Sequence, residues 1–367
     1  VISTSPKLRD ELEVIRGMDD IPLIYDPVTG NYHRITRAGE VVLNFLDGTR
    51  SRDDLIQFFA DHNRDRSDTV KRQLDGFLTS LADSGLLVGT DLPEKAPRPG
   101  ARVRTSMFMP RVIISRALPT LLEPLARVLR RVPAWILAGL AAAAALTGFA
   151  FGFHTLFTGV PPLTQIIGPA FIVATAAQLL LVLAHETSHA LTAQVLGVPV
   201  RGLGVALLFY FMPVAYVDRT DAYRLRGRGG RVALALAGIA SDGVFCGLTG
   251  LVALNSTGFV QHTAAFLLGM QLLGIVINLN PLLPSDGYTA IEAATGLVDA
   301  RGRAFALLRN VASRKELPAH LANLSTRARI TYMAYGLVSA AYICFLAYSV
   351  LHTIPVMVRL ALSMVGR

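Results

Sequence analysis

The chain has 367 residues, 52% of them apolar, and a formal charge of +9, with a mean hydropathy of +0.46. These values exclude a water-soluble domain of average composition and fit a protein that lies partly in a membrane. The arginines gather at the ends of apolar runs, as charges flanking membrane segments do, so the positive charge points to a lipid bilayer and not to nucleic acid.

Residues 1–90 read as a soluble domain. The stretch IPLIYDPVTGNYHRI contains two short β-rich runs separated by Asp26-Pro27 and Thr29-Gly30, a hairpin signal. Helical periodicity follows over 37–46, 52–62 and 68–84. Leu55, Phe58 and Phe59 share one face of the second helix, and Leu74, Phe77, Leu78 and Leu81 share one face of the third. A few strands with three helices form a small winged-helix pattern. No signal peptide precedes this domain, so it is expected to stay in the cytosol. Residues 91–118, rich in Pro, Arg and Gly, read as a linker. LLEPLARVLRR, 121–131, reads as a helix lying along the membrane surface.

Five apolar runs follow at 133–153, 166–197, 232–254, 259–283 and 329–352, each near the roughly 20 residues that cross the hydrocarbon core. PVMVRLALSMV at the C-terminus is too short to count as a sixth. The segment before the first run, the loop 198–231 and the segment 284–329 are rich in arginine, whereas 154–165 and 255–258 carry no Lys or Arg. That alternation places the arginine-rich segments in the cytosol. Cys246 and Cys344 both lie in apolar runs and imply no disulfide framework.

The second run contains LVLAHETSHALTAQ, 181–194. His185 and His189 are four apart, so they share a helix face and can converge on one ion. Glu186 lies one step around the helix, where it can take a proton from an activated water without ligating the metal. With 8 histidines in the chain, a His-Glu-x-x-His spacing would arise by chance roughly 0.004 times. Ionisable groups within a membrane are expensive and generally functional. A catalytic zinc needs a third protein ligand and an open position. Asp286, in NLNPLLPSDGY, follows the fourth run, where Pro281, Pro284 and Gly287 interrupt regular helix. Asp242, in LAGIASDGVF, lies mid-span at a depth similar to His185. Geometry alone leaves both open.

HETSH in one apolar helix, with NLNPLLPSDG two helices later, resembles the site-2 protease family of intramembrane zinc metalloproteases over about 133–352. The resemblance implies His185, His189 and Asp286 as ligands of one Zn2+ and Glu186 as general base. It further implies that Asn278 steadies the oxyanion or the scissile carbonyl. One departure is Ile239, which stands where the family often has proline after Ala-Gly. The Leu-Asp-Gly at 46–48 copies the aspartate motif but lies in the soluble domain. VRGLGVALLFYFMPVAYV, 200–217, reads as a membrane-dipping hairpin able to pair with substrate backbone.

The stretch from IPLIYDPVTG through LDGTRSRDDL to FLTSLADSGLL resembles the PqqD-like recognition element of ribosomally made peptide pathways, over about 10–90. Such a domain implies capture of a leader peptide as an added strand. Tyr32, His33 and Ile35 would lie on the edge strand, with Leu74 and Phe77 on the adjoining helix. The expected architecture is therefore an α-helical polytopic membrane protein. It joins a PqqD-like α+β domain (1–90), a linker with an interfacial helix (91–132) and a site-2 protease core with 5–6 spans (133–367). The expected function is a zinc endopeptidase of a bacterial cytoplasmic membrane that removes a leader from a precursor peptide, with daptide-type pathways as one setting. Two alternatives are a regulatory protease releasing a membrane-held transcription factor and a metal-binding transporter or immunity protein without proteolysis.

Overall fold

The computed structural model describes residues 4–16, 22–29, 31–62, 67–90, 103–104, 111–160, 168–208, 212–218, 220–295, 300–313, 321 and 326–365. The chain is mostly helical and divides into two compact units. One comprises Val1–Pro124 with Gly197–Gly227, and the other comprises Leu125–Leu196 with Arg228–Arg367.

The first unit opens with an antiparallel sheet in the order β1 (Glu13–Arg16), β2 (Pro22–Asp26), β3 (Asn31–Arg34). The sequence signals gave β2 and β3 but not β1, whose run EVIR is short and half charged. Three helices follow: α1 (Arg37–Leu43), α2 (Arg52–His62) and α3 (Ser67–Asp83). Thr36 caps α1 by accepting from Gly39 N–H. Ile24, Ile35, Leu43, Leu55, Leu74 and Leu78 fill the core. The β2–β3 turn is built on Asp26, whose buried carboxylate accepts from Val28 N–H and Thr29 Oγ1 and pairs with Arg9 at 2.6 Å.

Burial alone would raise the Asp26 carboxyl. Its bonds to Thr29, Arg9 and Val28 outweigh that and hold it below the ordinary carboxylate range. A depressed folded-state pKa stabilises the fold at every pH above the unfolded value, and this contribution is lost as pH falls through the folded value. Limited proteolysis of the β2–β3 turn should therefore show an acid-induced opening below about pH 4. Asp26→Asn should open the turn at neutral pH and lack the acid step. An acid profile identical in both chains would contradict the assignment.

A second antiparallel sheet runs β4 (Val103–Arg104), β5 (Arg111–Ser115), β6 (Leu203–Leu208), β7 (Met212–Val217). This corrects the reading of 91–118 as linker throughout: β5 pairs with β6 across most of its length, because RVIIS supplies β-branched residues that suit a strand. Residues 91–102 and 105–110 lie outside the described part. The hairpin expected at 200–217 is present as β6 and β7, with its tip at 209–211 also outside the described part. Gly202, at φ 153°, lies so close to β5 that a Cβ would meet Ser115 O at 2.6 Å. The hairpin belongs to the first compact unit. Side-chain bonds reinforce this. Arg201 grips Asp221 through Nε (2.8 Å) and a second nitrogen (3.2 Å), Tyr32 Oη donates to Asp221, and Arg224 Nε donates to Tyr32 Oη at 3.0 Å.

The amphipathic α4 (Leu118–Leu129) starts three residues earlier than expected. The second unit contains α5 (Ala134–Thr158), α6 (Pro169–Val195), α7 (Arg228–Asn255), α8 (Gly258–Asn278), α9 (Asp286–Thr295), α10 (Ala300–Ala312) and α11 (Thr326–Val365). Among the described residues, five stretches are long and apolar enough to cross a membrane: α5, α6, α7, α8 and Thr326–Thr353 of α11. Their outer faces display large apolar side chains such as Leu146, Ile172, Leu180 and Val276, as lipid-facing helices do. The C-terminal segment read as too short for a sixth span continues α11 as one 40-residue helix containing Pro355. α7 is the central element and packs on α5, α6, α8 and α9. Its contact with α5 is set by glycines: a Cβ on Gly148 would lie 2.0 Å from Gly243 O.

Candidate metal centre

His185 and His189 project from one face of α6, with ring centroids 4.9 Å apart and ring planes at 77°. Asp286, the first residue of α9, brings Oδ2 to 2.9 Å from Nε2 of each histidine, and the two Nε2 atoms are 3.3 Å apart. The His189 and Asp286 side chains are 0% and 9% exposed, and that of His185 is 12% exposed.

The far side of each ring is held by a hydrogen bond from Nδ1. His189 Nδ1 lies 2.8 Å from Leu234 O, a carbonyl that only accepts, so Nδ1 carries the proton. His185 Nδ1 lies 2.8 Å from Asp242 Oδ2 and donates to that carboxylate. A neutral ring with its proton on Nδ1 presents the Nε2 lone pair to Asp286 Oδ2, and both rings are placed to do so. In that form three electron-rich atoms converge, an arrangement that a cation between them would hold together. The group could hold a metal ion. Two ligands on a tetrahedral ion with bonds of about 2.05 Å would be about 3.3 Å apart, which the Nε2–Nε2 separation matches. The donor set of two imidazoles and one carboxylate suits zinc.

The two aspartates left open by spacing have different places. Asp286 faces both Nε2 atoms. Asp242 touches the opposite edge of one ring, the position of an outer-shell group that orients a ligand. α7 supplies both orienting contacts, Leu234 O and Asp242. It also supplies Gly238, where a Cβ would lie 2.3 Å from the His185 ring, so the absence of a side chain lets the imidazole fit. None of these three contacts has a spacing signature; Asp242 was visible only as an acid within an apolar run.

Asp286 reaches the centre because helix α8 stops at Asn278. Asn278 Oδ1 accepts from Asp286 N–H at 3.1 Å, and its Nδ2 donates to Asp286 Oδ2 at 3.3 Å. The intervening loop is fastened by Leu282 N–H to Asn280 Oδ1 (2.9 Å), Arg301 to Leu282 O (2.7 Å) and Tyr335 Oη to Pro281 O (2.8 Å). Gly287 completes the fold-back, since a Cβ there would meet Leu279 O at 2.6 Å. Glu186 follows His185 on α6 and is half-buried.

The residues expected to meet a leader peptide have mixed surroundings. β3 is an edge of its sheet. Tyr32 packs on Tyr25 with centroids 4.8 Å apart and is bonded to Asp221 and Arg224. His33 pairs with Ile24 across the sheet, and burial lowers its pKa. Ile35 and Leu74 are core residues, and Phe77 packs partly buried against the same core. Ile35 and Leu74 therefore shape the β3–α3 region from beneath. The Arg201–Asp221–Arg224 cluster that covers the Tyr25–Tyr32 face escaped the sequence reading, because its members are remote in sequence from β3.

Residues 23–87 match the family model for coenzyme PQQ synthesis protein D (PqqD), so the chain carries a PqqD domain there. No curated protein and no solved structure is matched by the chain.

Proposed function

We propose that this protein is an intramembrane zinc endopeptidase that binds the leader of a ribosomally made precursor peptide and cleaves the precursor to release its product. The observation that carries the reading is the convergence of His185, His189 and Asp286 in a helix bundle apolar enough for a membrane. The PqqD domain of the same chain suggests recognition of a peptide precursor.

His185, His189 and Asp286 would hold the ion, which supplies a water acidic enough to be a nucleophile at neutral pH and polarises the peptide carbonyl. Glu186 accepts the proton of the attacking water and delivers it to the leaving amine. Asn278 has two amide hydrogens, of which one is directed to Asp286; the other donates to the scissile oxygen as negative charge develops. Asp242 and Leu234 O hold both imidazoles in the ligating tautomer. A leader strand added at the β3 edge, beside α3, would tether the precursor and raise its local concentration. In this reading the bundle lies in a bacterial cytoplasmic membrane with the N-terminal domain in the cytosol.

The test is purified protein in detergent with a candidate precursor, read by mass spectrometry. Glu186→Ala should lower turnover by about 10²-fold or more while retaining one zinc per chain. Equal cleavage by both chains, or none by the unaltered protein, would refute the assignment.

A further inference from the structure

Gln271 on α8 is 5% exposed, and neither its Oε1 nor its Nε2 meets a hydrogen-bond partner among the described residues. Gln178 Oε1 on α6 is buried in the same condition. Stranded amides in a bundle packed mainly with apolar side chains are costly, so their positions call for an explanation.

The positions are related. Gln178 lies seven residues before His185, and Gln271 lies seven before Asn278. Seven residues are almost two full turns, so each glutamine shares the helix face of its partner and lies about 10 Å deeper along the axis. His185 and Asn278 meet at Asp286 from the C-terminal halves of α6 and α8. Phe171 of α6 packs on Phe266 of α8, with ring centroids 5.5 Å apart, in the N-terminal halves of the two helices, so they run in the same direction. The glutamines thus occupy one level beneath the metal centre.

We infer that Gln271 and Gln178 form a subsite that binds the main chain of an extended substrate about three residues from the scissile bond, on the side away from the leader. This rests on the endopeptidase reading. An extended chain advances about 3.3 Å per residue, so about three residues cover the 10 Å. A peptide unwound for cleavage loses its internal hydrogen bonds, and in lipid no water replaces them. A carboxamide offers one acceptor and two donors, the complement of a backbone C=O and N–H, whatever the side chains. An ion would call for charge, and an acyl chain would leave both amides unmet.

The probes are a fluorescein-labelled synthetic apolar peptide of roughly 20 residues, with its cut bond mapped by mass spectrometry, and a companion ending about one residue beyond that bond. Binding to the metal-stripped full chain is read by fluorescence anisotropy, and cleavage by the zinc-loaded chain is read in parallel. Gln271→Leu should weaken binding of the long peptide about tenfold and lower its kcat/KM to match. The short peptide should be unaffected, and zinc content and melting temperature unchanged. Gln178→Leu, tested separately, should act in the same direction and decides the matter if the first variant does not fold. Unchanged handling of the long peptide, or equal losses on both peptides, overturns the subsite alone. Absence of cleavage by the unaltered protein overturns the endopeptidase reading and the subsite with it.

Discussion

Asp286→Ala should abolish stoichiometric metal binding, whereas Asp242→Ala should weaken it by about 10–100-fold, the range typical of losing a partner that orients a ligand. Removing Asp286 takes away the one atom shared by both Nε2 contacts and leaves two imidazoles whose Nε2 atoms are 3.3 Å apart. Removing Asp242 leaves all three converging atoms in place and frees only the outer edge of His185. Competition with a chromophoric chelator, with zinc measured by elemental analysis, separates the two. Stronger loss in Asp242→Ala than in Asp286→Ala would exchange their roles and undo the site as described.

Gly148→Leu should destabilise the bundle by about 3 kcal/mol or more, the upper range of overpacking costs. Its Cβ would lie 2.0 Å from Gly243 O and 2.8 Å from the Gly243 carbonyl carbon. Those are backbone atoms of α7, which no rotamer change can move aside. In lipid, helices associate through close packing and not through burial from water, so separating α5 from α7 forfeits much of what holds them together. Gly139→Leu on the same helix meets nothing within 4 Å and serves as control. Thermal unfolding in detergent, followed by circular dichroism, should show a large drop for the first and little change for the second. The metal centre should fail along with the fold in Gly148→Leu, because α7 also carries Leu234, Gly238 and Asp242. A melting temperature equal to that of the control would mean that α5 and α7 do not approach this closely.

The two ends of the chain are joined by different physics. In the first unit, a charged network on Tyr32 ties the β3 strand to the segment that follows the metal-bearing helix in sequence. Burial of Asp221 would raise its carboxyl, but the bonds from Arg201 and Tyr32 hold it below the ordinary range. Such a network is maintained by paired charges with bidentate geometry. In the second unit, the groups of the metal centre are positioned by neutral and acidic partners from other elements: Leu234 O, Asp242 and Asn278.

The sequence by itself determined what is periodic or local. The five apolar runs, the two histidines on one helix face, the PqqD-like pattern over about 10–90 and the helix-stopping NLNPLLPSDG all depend on residues close in the chain, where 3.6-residue and 2-residue periods suffice. It also singled out both aspartates as candidates. Only the tertiary structure decided which of them faces the Nε2 atoms, because that depends on how α7 and the α8–α9 loop pack around α6. The same packing made strands of residues inside the presumed linker, placed the 200–217 hairpin in the first unit, and gave Leu234 O, Gly238 and the two glutamines their places. These are contacts between residues separated by dozens of positions, formed by close fit and complementary hydrogen bonds, and neither leaves a repeat in the sequence.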